Sequence, residues 1–331
     1  RVFGLQVFEV PIASRGSRGR PMVNLIALDA DEKVTAILPV TEDDKQNDNS
    51  YVFFATASGM VKRVQLSQFK NLRANGLRAV ELNDGDNLIG VAITDGEQDI
   101  MLFSNEGKAI RFNESKIRAM GRTAKGVRGM RVTLLANQGM EDDDTELEDD
   151  SQDDQDNDSV VAVSRVVSLV VAPQQGEILC ACERGFGKRT PVSDFPVKGR
   201  GGKGMIAIKT TARNGELVQA LAVTDADDIV LISDAGTLVR TPVGQIAQTG
   251  RNAQGVTLIR ISQDESLVSI ALVEGGSEDE LDEDSLETAL SDNMAQDGTD
   301  LPDSADLQDI ELSEALQQDG LLEADAQQLD D

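Results

Sequence analysis

Arginine and lysine recur in this sequence inside short glycine-ended boxes. Three of them read Arg122-Thr-Ala-Lys125-Gly126, Arg200-Gly201-Gly202-Lys203-Gly204 and Arg251-Asn-Ala-Gln-Gly255; a shorter one ends Arg73-Ala-Asn-Gly76, and a fifth is Arg15-Gly-Ser-Arg18-Gly19. Glycine permits positive φ and close backbone approach, so amides and cationic side chains on such a loop can converge on a phosphate, as in an anion-binding nest. One such loop alone is an ordinary solvated turn. Five in phase call for a common cause.

The candidate contacts are Arg15, Arg18 and Arg20; Arg73 and Arg78; Arg122, Lys125 and Arg128; Arg200, Gly201, Gly202, Lys203 and Gly204; and Arg251. A cationic rim without aromatic stacking platforms suits duplex phosphate better than single-stranded bases. Bending stiff duplex costs several kcal/mol, which distributed phosphate contacts must offset. If each box neutralises about two phosphates, log K falls against log salt with a slope near −9.

The elements that must position these boxes follow from their spacing. Glycines 59, 107, 185 and 236 are each followed four residues later by Arg63, Arg111, Arg189 and Arg240, and the box glycine comes nineteen residues after the first glycine, or seventeen in the Gly59 unit. Tyr51 to Thr56 is a β-branched and aromatic run, Ser58-Gly59 turns, and Val61 to Leu66 alternates, which is a hairpin. After the box, Leu77 to Leu82 and Leu88 to Ile93 read as third and fourth strands. The order recurs as 99–103, 108–112, 129–132 and about 160–171; as 177–180, 187–192, 205–209 and 217–223; and as 228–232, 237–242, 256–261 and 267–273. Four short strands per unit of about 50 residues predict an all-β, radially repeated fold of propeller type. Counting back nineteen from Gly19 passes Arg1, so the chain is expected to begin inside a repeat. If the hairpin arginines, with Lys62 and Lys188, face the same way as the boxes, they widen the positive band.

Charge is distributed unevenly. The net charge of −28 argues against a nucleic-acid binder, yet residues 141–158 hold 12 acids and residues 274–331 hold 21, with no base in either. The remaining 26 acids face all 31 bases, leaving a body near +5. With 3% aromatic residues and no Trp, the core must be aliphatic. Domain 1–273 is therefore read as the folded body with an acidic insertion at 141–158, and 274–331 as a largely disordered acidic tail, in which 310–316 can form a transient helix. Cys180 and Cys182 alternate on a predicted strand and cannot easily pair, which suits a reduced, cytoplasmic protein. No apolar run reaches the roughly 20 residues of a membrane helix.

Other chemistries are poorly supported. Gly199-Arg-Gly201-Gly-Lys-Gly204 matches a dinucleotide fingerprint, but Met205 to Lys209 reads as strand where a helix is required. There is no Walker-type Gly-Lys-Ser/Thr, no His, and no calcium loop among Asp142 to Asp150. No cofactor, metal or catalytic residue is assigned, and Tyr51 is read as packing.

The stretches Arg1-Val-Phe3, Arg15 to Asn24, Met101 to Lys108, Arg118-Ala-Met-Gly121, Gly126-Val-Arg-Gly129, Asp234 to Arg240 and Gly250 to Val256 together resemble the C-terminal domain of the DNA gyrase A subunit, of the type IIA topoisomerases. The resemblance spans 1–273. It implies a six-bladed β-pinwheel, a propeller relative whose blades exchange strands, with a rim that wraps duplex DNA without sequence specificity in support of ATP-dependent negative supercoiling. It also implies the gyrase B subunit, together with a second A subunit, as partners, ATP and Mg²⁺ bound elsewhere in the holoenzyme, and a nucleoid-associated location. The family's catalytic tyrosine belongs to an upstream region, so Tyr51 does not inherit that role. The diagnostic Gln-Arg-Arg-Gly-Gly-Lys-Gly box is absent, although Arg200 to Gly204 matches its last five positions. Tails of similar gyrases imply that the acids of 274–331 compete with DNA for the rim. Two alternatives stay open: the corresponding domain of topoisomerase IV, with fewer or more degenerate boxes, and a propeller-type scaffold for protein partners.

Overall fold

The hairpins form where β-branched and apolar runs flank a glycine turn. The computed structural model describes residues 1–13, 19–29, 32–41, 43–44, 47, 49–133, 163–262 and 264–273; these belong to one unit, Arg1–Gly275. The insertion 141–158 and the tail 274–331, with its segment 310–316, lie outside them. Four antiparallel sheets follow in chain order. The first contains β1 (Tyr51–Thr56), β2 (Met60–Gln65) and β3 (Leu88–Thr94). The second contains β4 (Asp99–Ser104), β5 (Lys108–Asn113) and β7 (Val166–Val171). The third contains β8 (Glu177–Cys182), β9 (Phe186–Pro191) and β11 (Leu217–Val223). The fourth contains β12 (Asp228–Ser233), β13 (Leu238–Pro242) and β15 (Leu267–Val273).

The short strand after the Arg122, Arg200 and Arg251 boxes joins a different sheet from the one the repeat order alone suggests, in keeping with the strand exchange that the resemblance implies. β6 (Val127–Arg128), β10 (Met205–Ile206) and β14 (Val256–Thr257) pair with β2, β5 and β9, so each closes the sheet of the preceding unit. The sheet orders are β3-β1-β2-β6, β7-β4-β5-β10, β11-β8-β9-β14 and β15-β12-β13. The third strands expected at 205–209 and 256–261 are therefore donated to a neighbour and shorter than read. The one expected at 129–132 lies just before that span, at Val127–Arg128, and 77–82 forms no strand beyond the Leu77 bridge. The expectation of six blades is also corrected: the described residues form four sheets. Four glycine-turned hairpins can nucleate four sheets, whereas the fifth box comes without a hairpin of its own. Among the described residues, the chain before Tyr51 adds to the β structure only an isolated bridge from Val2 to Leu77.

Burial explains why the sheets stack. Along β4, Ile100 and Leu102 enter the core shared with Phe53 and Ala55 of β1, while Met101 and Phe103 enter the core shared with Ile178, Cys180 and Cys182 of β8. Leu179 and Ala181 of β8 face the fourth sheet, with Ile229 and Leu231. Period-two alternation thus buries both faces of the central strands, and each interface is a shared aliphatic core. The inner strands β3, β7, β11 and β15 contact one another in sequence, as in a propeller. Both cysteines are free and buried, and desolvation pushes each thiol up to about 12.

The turn glycines lock one unit to the next. Gly185 has φ +75, and a Cβ there would lie 2.4 Å from the carbonyl oxygen of Ile259, just past the strand that follows the next box. That carbonyl accepts nothing from Gly185; rather, Leu258 N and Ile259 N donate to Gly185 O. In the fourth sheet the corresponding Gly236 has nothing within 4 Å of its Cβ position.

Candidate nucleic-acid interface

The Arg122, Arg200 and Arg251 boxes are each a loop pinned at both ends to the outer strand of the preceding sheet. Before the loops, Met120 N donates to Arg63 O (2.9 Å), Lys198 N to Arg111 O (2.8 Å) and Thr249 N to Arg189 O (2.9 Å). After them come β6, β10 and β14. The box glycine makes the return possible. At Gly126, with φ +102, a Cβ would lie 2.5 Å from the Val61 carbonyl oxygen, so only glycine fits.

Consecutive boxes touch. Gly201 N donates to Gly129 O (2.7 Å), Arg131 N to Gly202 O (2.9 Å) and Lys209 N to Ala253 O (3.1 Å). The first arginine of a box lies over the strand after the previous one: Arg200 Nη1 donates to Arg128 O (3.0 Å) and Arg251 Nη1 to Ile206 O (3.3 Å). The Arg122, Arg200 and Arg251 boxes therefore form one hydrogen-bonded ribbon along the edges of the sheets opposite their inner strands. Within it Arg122, Arg128, Arg200 and Arg251 are half-buried, as are Gly201 and Gly204, while Lys125, Gly202 and Lys203 are exposed.

The Arg73 box is a tighter turn, closed by Gly76 N donating to Arg73 O (2.9 Å), which accounts for its shorter interval. Arg73 and Arg78 are exposed beside Leu77 and Ala79, which pack on Val52 and Phe54 of β1. Arg20 is exposed next to Gly19, and Arg15 and Arg18 lie outside the described residues.

Three of the four hairpin arginines, Arg63, Arg111 and Arg189, do not widen the band, because they are spent on structure. The register sets Arg111 opposite Met101 and Arg189 opposite Leu179, which places each diagonally from the acid that begins the neighbouring strand. Arg111 Nε donates to Asp99 (3.0 Å), and its Nη1 to the carbonyls of Val192 (3.0 Å) and Phe195 (3.1 Å) in the next unit. Arg189 bonds Glu177, Asp225 and the Ile246 carbonyl. Arg63 donates to Gly96 O (2.9 Å) and lies over the Tyr51 ring at 4.7 Å. Buried charged hydrogen bonds contribute about 1.5–3 kcal/mol each, against about 0–1 kcal/mol for the exposed Arg240–Asp228 pair. The first three arginines are inter-sheet staples. Their signal in the sequence is the residue twelve positions earlier: Tyr51, Asp99 and Glu177.

Lys62 and Lys188 also turn inward. Lys62 Nζ donates to the carbonyls of Gly121 (3.2 Å), Arg122 (2.6 Å) and Ala124 (2.9 Å). Lys188 Nζ donates to those of Gly250 (2.7 Å) and Arg251 (3.0 Å) and to Thr190 Oγ1 (3.0 Å). Desolvation is the main cause that lowers each ammonium to about 8.

A stack of exchanged-strand sheets with a continuous basic ribbon on its outer edge defines a propeller-type domain with a basic rim. The family model described as DNA gyrase C-terminal domain, beta-propeller, matches residues 5–41, 50–95, 98–145, 176–225 and 227–274, and the chain belongs to that family. It is 47% identical over 293 residues to the DNA gyrase A subunit of Haemophilus influenzae, covering 88% of this chain and 32% of that protein. With the DNA gyrase A subunit of Escherichia coli it shares 46% identity over 300 residues, 91% of this chain and 30% of the relative. The chain thus spans about a third of the length of the curated relatives it matches. Among solved structures, the fold is similar to the C-terminal domain of DNA topoisomerase IV (TM-score 0.66, 24% identity, 87% of this chain and 79% of that one). It is also similar to the DNA gyrase A C-terminal domain (TM-score 0.61, 24% identity, 79% and 77%).

Proposed function

We propose that this chain holds and curves duplex DNA along its box ribbon, as the wrapping part of a gyrase A subunit, without reading base sequence. The observation that carries this reading is the box-to-box ribbon through Arg122, Arg200 and Arg251. On this reading Arg15, Arg18, Arg20, Arg73 and Arg78 extend the same phosphate track. Cleavage, ATP and Mg²⁺ then belong to the rest of a cytoplasmic, nucleoid-associated enzyme that also contains the B subunit, together with a second A subunit. Among the described residues no helix is long and apolar enough to cross a membrane, and no group of three His, Cys, Asp or Glu could hold a metal.

The test is relaxation of DNA minicircles in the presence of the chain. A linking-number shift that grows with protein concentration is expected; binding without a shift would overturn wrapping. Joined to its full-length partners, the domain should support negative supercoiling, which the topoisomerase IV alternative would not. A scaffold for protein partners would show no salt-dependent affinity for random-sequence duplex.

The acidic tail has an expected result of its own. Its 21 acids are held to compete with phosphate for the ribbon, so deleting 274–331 raises duplex affinity at low salt, and the gain shrinks as ionic strength screens the charges. Equal affinity with and without the tail at low salt would sink the competition model.

A further inference from the structure

Two of the three ribbon loops are built around a buried ammonium, and the third is not. Lys62 is 1% exposed and Lys188 is 0% exposed. Each occupies the position three residues after the turn glycine, where the second hairpin has Ile110. The Arg122 and Arg251 loops also share a turn that the Arg200 loop is not seen to make: Ala124 N donates to Gly121 O (3.2 Å) and Ala253 N to Gly250 O (3.2 Å). In the Arg200 loop, Gly201 N is committed instead to Gly129 O, and Gly202 lies over the Ile110 side chain at 3.7 Å from its Cβ position.

The geometry of a trans peptide gives this arrangement a direction. Carbonyl and following N–H point oppositely across each planar unit, and the described residues contain no cis bond. Drawing the carbonyls of Gly121, Arg122 and Ala124 onto Lys62 turns the amides of Arg122, Thr123 and Lys125 away from the ammonium. Drawing those of Gly250 and Arg251 onto Lys188 does the same for the amides of Arg251 and Asn252. The positive ends of these peptide dipoles then stand beside the box cations, which is the orientation a phosphate requires.

We propose that Lys62 and Lys188 are positioning residues for polyphosphate: buried ammonium clamps that hold the Arg122 and Arg251 loops with carbonyls inward and amides outward, while the Arg200 loop does without one. The inference rests on the reading of the ribbon as a duplex-binding surface. The surroundings are compatible with a retained charge. Phe54 of β1 presents its ring 5.6 Å from Lys62 Nζ, and the acid acting on this lysine is Glu81. Around Lys188 stand Cys180 and Cys182 of β8, Arg251 of the loop and Asp194 of the neighbouring 3-10 turn.

The test uses the 331-residue chain with Lys62→Met and Lys188→Met, separately and together, under limited trypsin digestion read by mass spectrometry and in titrations with random-sequence duplex. Loss of a clamp speeds cleavage after Arg122 and Lys125 (K62M) or after Arg251 (K188M) by about tenfold, leaving cleavage after Arg200 and Lys203 unchanged. Duplex affinity falls with it, about three- to tenfold for the double variant. A second measurement needs no variant. Both ammoniums titrate near pH 8 in the fold, below the ordinary lysine range near 10.4, so wild-type affinity declines between about pH 7 and 9 while the double variant stays flat. The sign of global stability is opposite: between the two pKa values the unfolded chain binds more protons than the folded one, so stability rises with pH, and simple unfolding cannot mimic the loss. Unchanged cleavage in both variants would overturn the clamp, and faster cleavage with undiminished affinity would overturn its positioning role. A wild-type chain that fails to bind duplex at all would instead overturn the functional reading beneath it.

Discussion

Alanine at Arg122, Lys125, Arg200, Lys203 and Arg251 together is expected to flatten the salt dependence of duplex binding by about four to five units of slope, at about 0.9 for each phosphate no longer neutralised. Affinity near 0.1 M salt falls by on the order of a hundredfold or more, with little change in sequence preference. These five side chains belong to consecutive, mutually hydrogen-bonded loops, so on the proposed function they are expected to act as one polyanion track. Arg165 supplies the control: it is exposed, pairs with Glu216 at 3.3 Å, and precedes the inner strand β7. Arg165→Ala should leave slope and affinity near wild type. Equal effects from Arg165→Ala and from a single box substitution would show that net charge, rather than the ribbon, governs binding. Circular dichroism and melting of the fivefold variant guard against an unfolding artefact, because Arg200 and Arg251 also donate to backbone carbonyls.

The second large effect concerns the seams between sheets. Gly185→Ala places a methyl 2.4 Å from the Ile259 carbonyl oxygen at a φ of +75. The left-handed backbone costs about 1–2 kcal/mol, and forcing backbone apart in a packed seam adds about 1–3 kcal/mol. For a domain of this size a loss of about 3–4 kcal/mol lowers Tm by roughly 10 °C. Gly236→Ala has the same handedness problem, at φ +86, but open space around it, so only the conformational part remains and Tm falls by roughly 3–6 °C. Differential scanning calorimetry of the two variants compares them directly. Matching shifts would mean that the contact between a turn glycine and the backbone just past the strand after the next box does not hold the seam.

Much of this molecule can be read along the chain, for local reasons. Turn glycines, β-branched runs and alternation act within a few residues, and so β1, β11 and β15 fall at 51–56, 217–223 and 267–273 as expected. The alternation of Cys180 and Cys182 with Leu179 and Ala181 sets the two pairs on opposite faces of β8, both of which the structure buries. The short strands after the boxes were legible from periodicity as extended segments, whereas their donation was implied only by the family resemblance, because pairing with β2, β5 and β9 is a contact across about 70 to 100 residues. The pattern that repeats glycine, arginine and box in one register looked like a single charged surface. It is two devices that share a period.

That division is where sequence and folded chain part company. Residue order alone was enough for the all-β repeat, the aliphatic core, the acidic segments and the presence of basic loops once per unit, since these depend on composition and on side-chain period. The destination of each charge was settled by packing. A guanidinium or ammonium on a strand between two stacked sheets loses its water, and it persists there only if carbonyls or carboxylates from the next unit replace that water. Arg111 and Arg189 find acids and carbonyls and become staples, Lys62 and Lys188 find the backs of the box loops, and the loops that leave the sheet edge keep Lys125 and Lys203 in solvent.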